Sequence, residues 1–146
     1  MNQMAKQRPP MAGFHHFSAT VTDVAASADW YQRVLGLERI PGKFPHCGDE
    51  ETGYEVILTE FSAGIIIGLS HHIANDGLPF DEARTGLDHI SISVPSRSDL
   101  ESWTEWLDSL AVPHSGVTDI DGALKYSALV FRDPDNIQLE LFFMGG

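Results

Sequence analysis

Apolar and polar residues alternate with a period of two in two short runs that read as copies of one another. His16-Phe17-Ser18-Ala19-Thr20-Val21 aligns with His89-Ile90-Ser91-Ile92-Ser93-Val94, 73 positions further on. On a strand, this period puts the histidine, the serine and the next Thr or Ser on one face and the apolar residues on the other. A strand buried on both sides has no use for that polar face, whereas a strand lining a pocket does.

Behind each run the period changes from two to that of a helix. After a first strand at 14–22, Asp23 is a candidate N-cap, Val24, Ala25, Ala28, Tyr31, Val34 and Leu35 form an apolar stripe, and Gly36 is a stop. In the second copy Ser98 and Glu101 make a candidate capping box ahead of Leu100, Trp103, Trp106, Leu107 and Leu110. Trp30 and Trp103 repeat the same spacing and read as core. Three strands are expected after each helix, at 38–43, 54–61 and 64–70, then at 114–120, 125–132 and 137–143. Turn signals at Asp121-Gly122 and Asp133-Pro134-Asp135-Asn136 separate the later ones. The predicted organisation is α+β: a leader at 1–12, a first βαβββ module at 13–70, a polar linker at 71–86 and a second βαβββ module at 87–146.

Composition narrows the partners. A net charge of -12, from 21 acidic and 9 basic residues, argues against nucleic acid and against an anionic membrane surface, and leaves a small molecule as the expected ligand. No apolar run approaches membrane-spanning length. Cys47 is the sole cysteine, which excludes an intrachain disulfide and a cysteine-rich zinc site, and a cytoplasmic location is the expectation.

The copies are most informative where they differ. Superposing the last strands shifts the offset to 72, so that Gly68 lies against Glu140, and the same shift carried back to the third strands sets Tyr54 against Tyr126 and Leu58 against Val130. Glu140 then stands within an otherwise apolar strand, a costly place for a carboxylate that is neither paired nor bound to a metal. If the modules pack around a common axis, His16, His89 and Glu140 make a two-histidine, one-carboxylate metal site with open coordination positions. Such donors suit Fe(II), Mn(II), Ni(II), Co(II) or Zn(II). Tyr54, Tyr126 and His72, the last in phase with Gly68 and Ser70, are candidate catalytic groups.

These residues resemble the vicinal oxygen chelate superfamily, which includes glyoxalase I, fosfomycin-resistance proteins, extradiol dioxygenases and bleomycin-resistance proteins. The likeness runs from about Gly13 to Phe143. It is carried by His16 with Val21 and Asp23, Trp30-Tyr31, Val34-Leu35-Gly36-Leu37, Leu87-Asp88-His89-Ile90, and Phe131 through Asp133-Pro134-Asp135 to Glu140. The resemblance implies paired modules whose sheets curl into a cup-shaped mixed sheet, with His16, Gly68, His89 and Glu140 at the four ligand positions, and it implies a homodimer. Gly68 supplies no side chain, which favours an Fe(II) dioxygenase-like oxidoreductase. The alternatives are a glyoxalase-like lyase or isomerase using Ni, Zn, Co or Mn, and a metal-free drug-sequestering binding protein.

Overall fold

The computed structural model describes residues 6–145. The first five positions of the expected leader lie outside them, and residues 6–16 carry no helix or strand. The first module consists of β1 (Phe17–Thr20), α1 (Val24–Leu35), β2 (Glu38–Arg39), β3 (Phe44–His46), β4 (Asp49–Glu60), a short 3-10 turn (Phe61–Ala63) and β5 (Ile65–His72). The second consists of β6 (Ile90–Ser93), α2 (Arg97–Ser109), β7 (His114–Asp121), β8 (Lys125–Arg132) and β9 (Gln138–Met144). One sheet runs β1-β5-β4-β2 with β3 also on β4, and the other runs β6-β9-β8-β7. In each, the first strand pairs in parallel with the last, and the remaining pairs are antiparallel. This is the α+β organisation of tandem modules that the duplication predicts, with β3 as an added edge strand that tolerates Pro45 because it pairs on one side only.

Local chemistry explains the helix ends. Asp23 caps α1 by accepting from Ala26 N at 3.0 Å, and Gly36 closes it in the left-handed region at φ 68. The start of α2 differs from expectation. Ser96, not Ser98, is the N-cap and accepts from Asp99 N at 3.2 Å. The same Ser-x-x-acid spacing occurs two residues earlier, directly behind Pro95, and Ser96 holds the extended conformation a cap requires.

A single apolar core spans both modules. Tyr31, Val34, Leu58 and Leu69 of the first and Leu100, Leu107, Leu129 and Leu139 of the second are fully buried in it. Each aliphatic side chain so buried stabilises the fold by roughly 1.5–3 kcal/mol. Trp30 and Trp103 pack at its margin as the spacing predicts, with the Trp30 ring 6.2 Å from Phe131 across the module boundary. Polar clamps fix the same boundary. The Tyr31 hydroxyl donates to Asp133 Oδ2 at 2.8 Å, Thr22 donates from its N and Oγ1 to Asp135 at 3.1 and 2.6 Å, and Trp106 Nε1 donates to Val34 O at 2.8 Å.

The register corrects one superposition. Leu58 pairs with Ile67 and Phe131 pairs with Leu139, so the third strands keep the offset of 73 while the last strands have 72. The missing residue lies in the hairpin between them, not before it. Tyr54 therefore corresponds to Ser127 rather than to Tyr126, and a one-residue slip exchanges the faces of a strand.

Candidate functional site

The helix-free face of the second sheet carries one half of the expected metal set. Ser91 and Val130 stand in register with Glu140, so all three point to that face, while Ile90, Leu139 and Leu141 point into the core. Ser91 Oγ donates to Glu140 Oε1 at 2.8 Å, and His89 Nε2 lies 3.7 Å from the same oxygen. The other ring nitrogen of His89, Nδ1, is 2.6 Å from Asp88 Oδ1. An ionised carboxylate only accepts, so Nδ1 carries a proton, and in the neutral ring Nε2 presents its lone pair toward Glu140. Two acceptors thus face one another across 3.7 Å with the Glu140 side chain only 16% exposed. In that form the pair has the donors to hold a cation, and a carboxylate on the distal nitrogen is the usual means of orienting a metal-binding imidazole. Asp88 was not assigned a role from sequence, although it lies next to His89 in the chain.

His16 lies elsewhere in the same chain. It precedes β1, is exposed, and has Nδ1 2.8 Å from His15 Nδ1. It lines a cavity of about 240 Å³ with Phe17, Gly64 and Ile90 to Ser93, whereas a second cavity joins Ser18, Ala19 and Thr20 to Leu87 and Asp88. Strands β1 and β6 are therefore side by side and run in opposite directions. His16 sits at the Ser93 end and His89 at the Thr20 end, roughly 13 Å away at the rise of a strand. Among the described residues no three His, Cys, Asp or Glu side chains of one chain come together around a metal position.

The remaining candidates divide between the two faces. Tyr126 shares the Glu140 face, its ring stacked on Phe142 at 5.0 Å. Tyr54 is on the core side with Val56 and Leu58, stacked on His71 at 5.1 Å beneath Lys43 Nζ, and is not brought to that face. His72 shares the Gly68 face but stands at the end of β5 against His46, with ring centroids 4.7 Å apart. Over Gly68 itself lies the carboxylate of Glu55, hydrogen-bonded to Ser18 Oγ and, at 3.4 Å, to Ser70 Oγ.

Few cations serve either face. Arg132 donates to Glu82 from both terminal nitrogens at 2.9 and 2.6 Å, and this holds the Glu82 carboxyl at about 2, well below the usual carboxylate range.

Known proteins share this arrangement of modules. A domain from Frankia sp. EAN1pec, described as a glyoxylase/bleomycin resistance protein/dioxygenase domain, is 30% identical, with a TM-score of 0.78 over 93% of this chain and 94% of that one. FosX, a fosfomycin resistance protein from Listeria monocytogenes solved as a variant with Mn(II) and 1S,2S-dihydroxypropylphosphonic acid, has the same fold at 20% identity, with a TM-score of 0.66 over 93% of this chain and 95% of that one. The Bacillus subtilis (strain 168) protein named "Putative ring-cleaving dioxygenase MhqA" is 28% identical over 129 residues, which are 88% of this chain and 39% of the relative's length. The family model of the Glyoxalase/Bleomycin resistance protein/Dioxygenase superfamily matches residues 13–141, and the chain belongs to that superfamily.

Proposed function

We propose that the protein is a divalent-metal-dependent, dioxygenase-like oxidoreductase acting on a small aromatic molecule that offers neighbouring oxygens, with Fe(II) as the favoured metal. The observation that carries this reading is the pair of acceptors, His89 Nε2 and Glu140 Oε1, facing one another at 3.7 Å. The imidazole and carboxylate donors fit Fe(II) as well as Mn(II), Ni(II), Co(II) or Zn(II). His16 completes the set from a second copy of the chain, because its own chain holds it at the far end of the β1 and β6 edges. The site is then a cup between protomers of a homodimer, each protomer giving its first module to one cup and its second to the other.

When bound, the metal supplies Lewis acidity toward the substrate oxygens and, as Fe(II), a place for dioxygen. The protein's own groups do the rest. Asp88 keeps the His89 proton on Nδ1, Ser91 fixes the orientation of Glu140, and the stacked Tyr126 and Phe142 rings offer a flat wall to an aromatic ligand. Val130 and Ala128 line that face and limit access of water. The similarity to a ring-cleaving dioxygenase supports the same chemistry. A phosphonate substrate, by contrast, needs free cations, and Arg132 is already held by Glu82. A glyoxalase-like site would draw a fourth ligand from the position that Gly68 occupies.

The test mixes two inactive variants. His16→Ala and His89→Ala proteins are each expected to lose Fe(II) binding and oxygen consumption with catechol or hydroquinone. Co-refolded in equal amounts, half of the dimers are mixed by chance, and each mixed dimer keeps one intact cup of two, so about a quarter of wild-type Fe(II) capacity returns. No recovery from a sample that contains mixed dimers refutes the shared cup. Wild-type protein purified without chelator that holds no transition metal, together with unchanged ligand binding by His89→Ala, refutes the enzyme reading in favour of a binding protein.

A further inference from the structure

The core-side face of the first sheet ends in a cavity that the proposed cup does not use. Tyr54 stands in register with His71 and shares the face of Val56 and Leu58, opposite to that of Gly68. These two residues line a cavity of about 420 Å³ together with Lys43, Pro45, Glu50 and Ile73. Small-molecule sites of roughly 300–1,000 Å³ combine apolar and aromatic walls with a few polar groups, and this cavity has that make-up.

The duplication shows what is particular to it. Ser127 and Phe143 are the counterparts of Tyr54 and His71, and Asp119 pairs with Ser127 where Pro45 pairs with Tyr54. In the second module the position is closed. Ser127 is buried and donates to Asp119 Oδ1 at 2.6 Å, and Arg97 of α2 donates to the two Asp119 oxygens at 2.7 and 2.8 Å. In the first module Pro45 offers Tyr54 no polar side chain. The Tyr54 ring stacks on His71 with centroids 5.1 Å apart, and Lys43 Nζ lies 4.2 Å from the Tyr54 centroid. That cation–π contact holds the ammonium at the cavity without neutralising it. Among the described residues no hydrogen bond engages the Tyr54 hydroxyl, the His71 ring nitrogens or Lys43 Nζ, and no carboxylate pairs with Lys43. In a chain with 21 acidic and 9 basic residues such a cation is unusual, since Arg33, Arg97 and Arg132 are each held by a carboxylate.

We infer that this cavity binds a small organic monocarboxylate with a flat, apolar body. The carboxylate accepts from Lys43 Nζ and from the Tyr54 hydroxyl, and the body lies against Pro45 and Ile73. A charge-assisted hydrogen bond from the ammonium is the strongest contact on offer. Glu50 limits the charge of the ligand: its carboxylate, at the same cavity, repels a second negative charge and so disfavours phosphates and dicarboxylates. The site needs no metal and stands or falls apart from the proposed function.

The test uses benzoate as the probe and the full chain treated with a chelator, so that no metal competes for the carboxylate. Binding is followed by NMR through the ring signals of Tyr54 and His71. Benzoate is expected to shift both saturably. Benzyl alcohol, which keeps the ring and lacks the charge, and phthalate, a dianion, are each expected to bind about tenfold more weakly. Lys43→Met, a change at an exposed position, is expected to weaken benzoate binding about tenfold, and Tyr54→Phe about threefold. Glu50→Gln is expected to tighten it about threefold and to narrow the disadvantage of phthalate, a gain that a damaged fold cannot produce. Absence of saturable shifts at Tyr54 and His71, or unchanged affinity in Lys43→Met, overturns the inference. Benzoate shifts confined to Ser91, Tyr126 and Phe142 also overturn it, by placing the probe on the face of Glu140.

Discussion

Tyr31→Phe is a clean perturbation of the joint between the modules. The ring of Tyr31 is wholly buried, and its hydroxyl is the donor to Asp133 Oδ2, while Asp133 Oδ1 accepts from the backbone of Asp135 and Ile137 at 2.8 and 2.9 Å. Phenylalanine retains the ring packing and removes only the donor, which leaves one oxygen of a carboxylate that is 5% exposed without its partner. Hydrogen bonds to charged groups contribute about 1.5–3 kcal/mol, so the expected loss is about 2 kcal/mol. For a chain of this length that lowers Tm by about 6 °C, measured by circular dichroism at neutral pH.

The pH dependence has a defined sign. Burial raises the Asp133 carboxyl above its ordinary 3.8, against the lowering effect of its hydrogen bonds from Ile137, Tyr31 and Asp135. A raised carboxyl contributes stability that is fully present below its unfolded value and is lost as pH rises through the folded one. Removing the Tyr31 bond lets that value climb further, so the variant's deficit is largest where Asp133 is ionised and narrows on acidification. Equal Tm values at neutral pH, or a deficit that widens in acid, refute the reasoning.

Two other substitutions probe distinct parts of the fold. In Gly53→Ala the new Cβ runs into the backbone carbonyl of His71, with its carbon at 3.0 Å, at a φ of 154. That backbone cannot yield as a side chain can, so a loss of about 3 kcal/mol is expected in urea unfolding. A change below about 0.5 kcal/mol counts against the clash. Arg97→Met removes the main cause of the low Asp119 carboxyl, which the guanidinium and then Ser127 hold at about 2. Its titration, followed by NMR, is expected to move up toward 3.8. The lowered value means that the ion pair's contribution is present above the unfolded value and fades as pH falls through the folded one. An unmoved titration refutes the assignment to Arg97.

Much of this was legible because the chain says it twice. The alternating runs, the cap and stop of α1, and the placement of His89 beside Glu140 follow from side-chain period and from comparing copies. What failed depended on single residues of loop length. The hairpin between β8 and β9 is one residue shorter than its counterpart, so an offset read from the last strands was carried one strand too far and put Tyr54 on the wrong face. β3 is not legible in the pattern because Phe44-Pro45-His46 has the composition of a loop, and only an edge position makes it a strand. The position of the Glu55 carboxylate was invisible for another reason: it lies where Gly68, thirteen positions away and on another strand, has no side chain.

The same geometry is the ground for proposing a cup shared between two copies of the chain. Each module presents a half-site, but β1 and β6 run in opposite directions along their shared edge, so the half-sites of one chain lie at opposite ends of it. No small adjustment of the joint brings them together, because the joint is the apolar core itself, tightened by Tyr31 on Asp133, Thr22 on Asp135 and Trp106 on Val34. A rigid joint fixes the direction in which each half-site points, and two copies related by a twofold axis can then satisfy both at once. Those clamps are far in sequence from His89 and Glu140, yet in the proposed cup they decide which His16 can reach them.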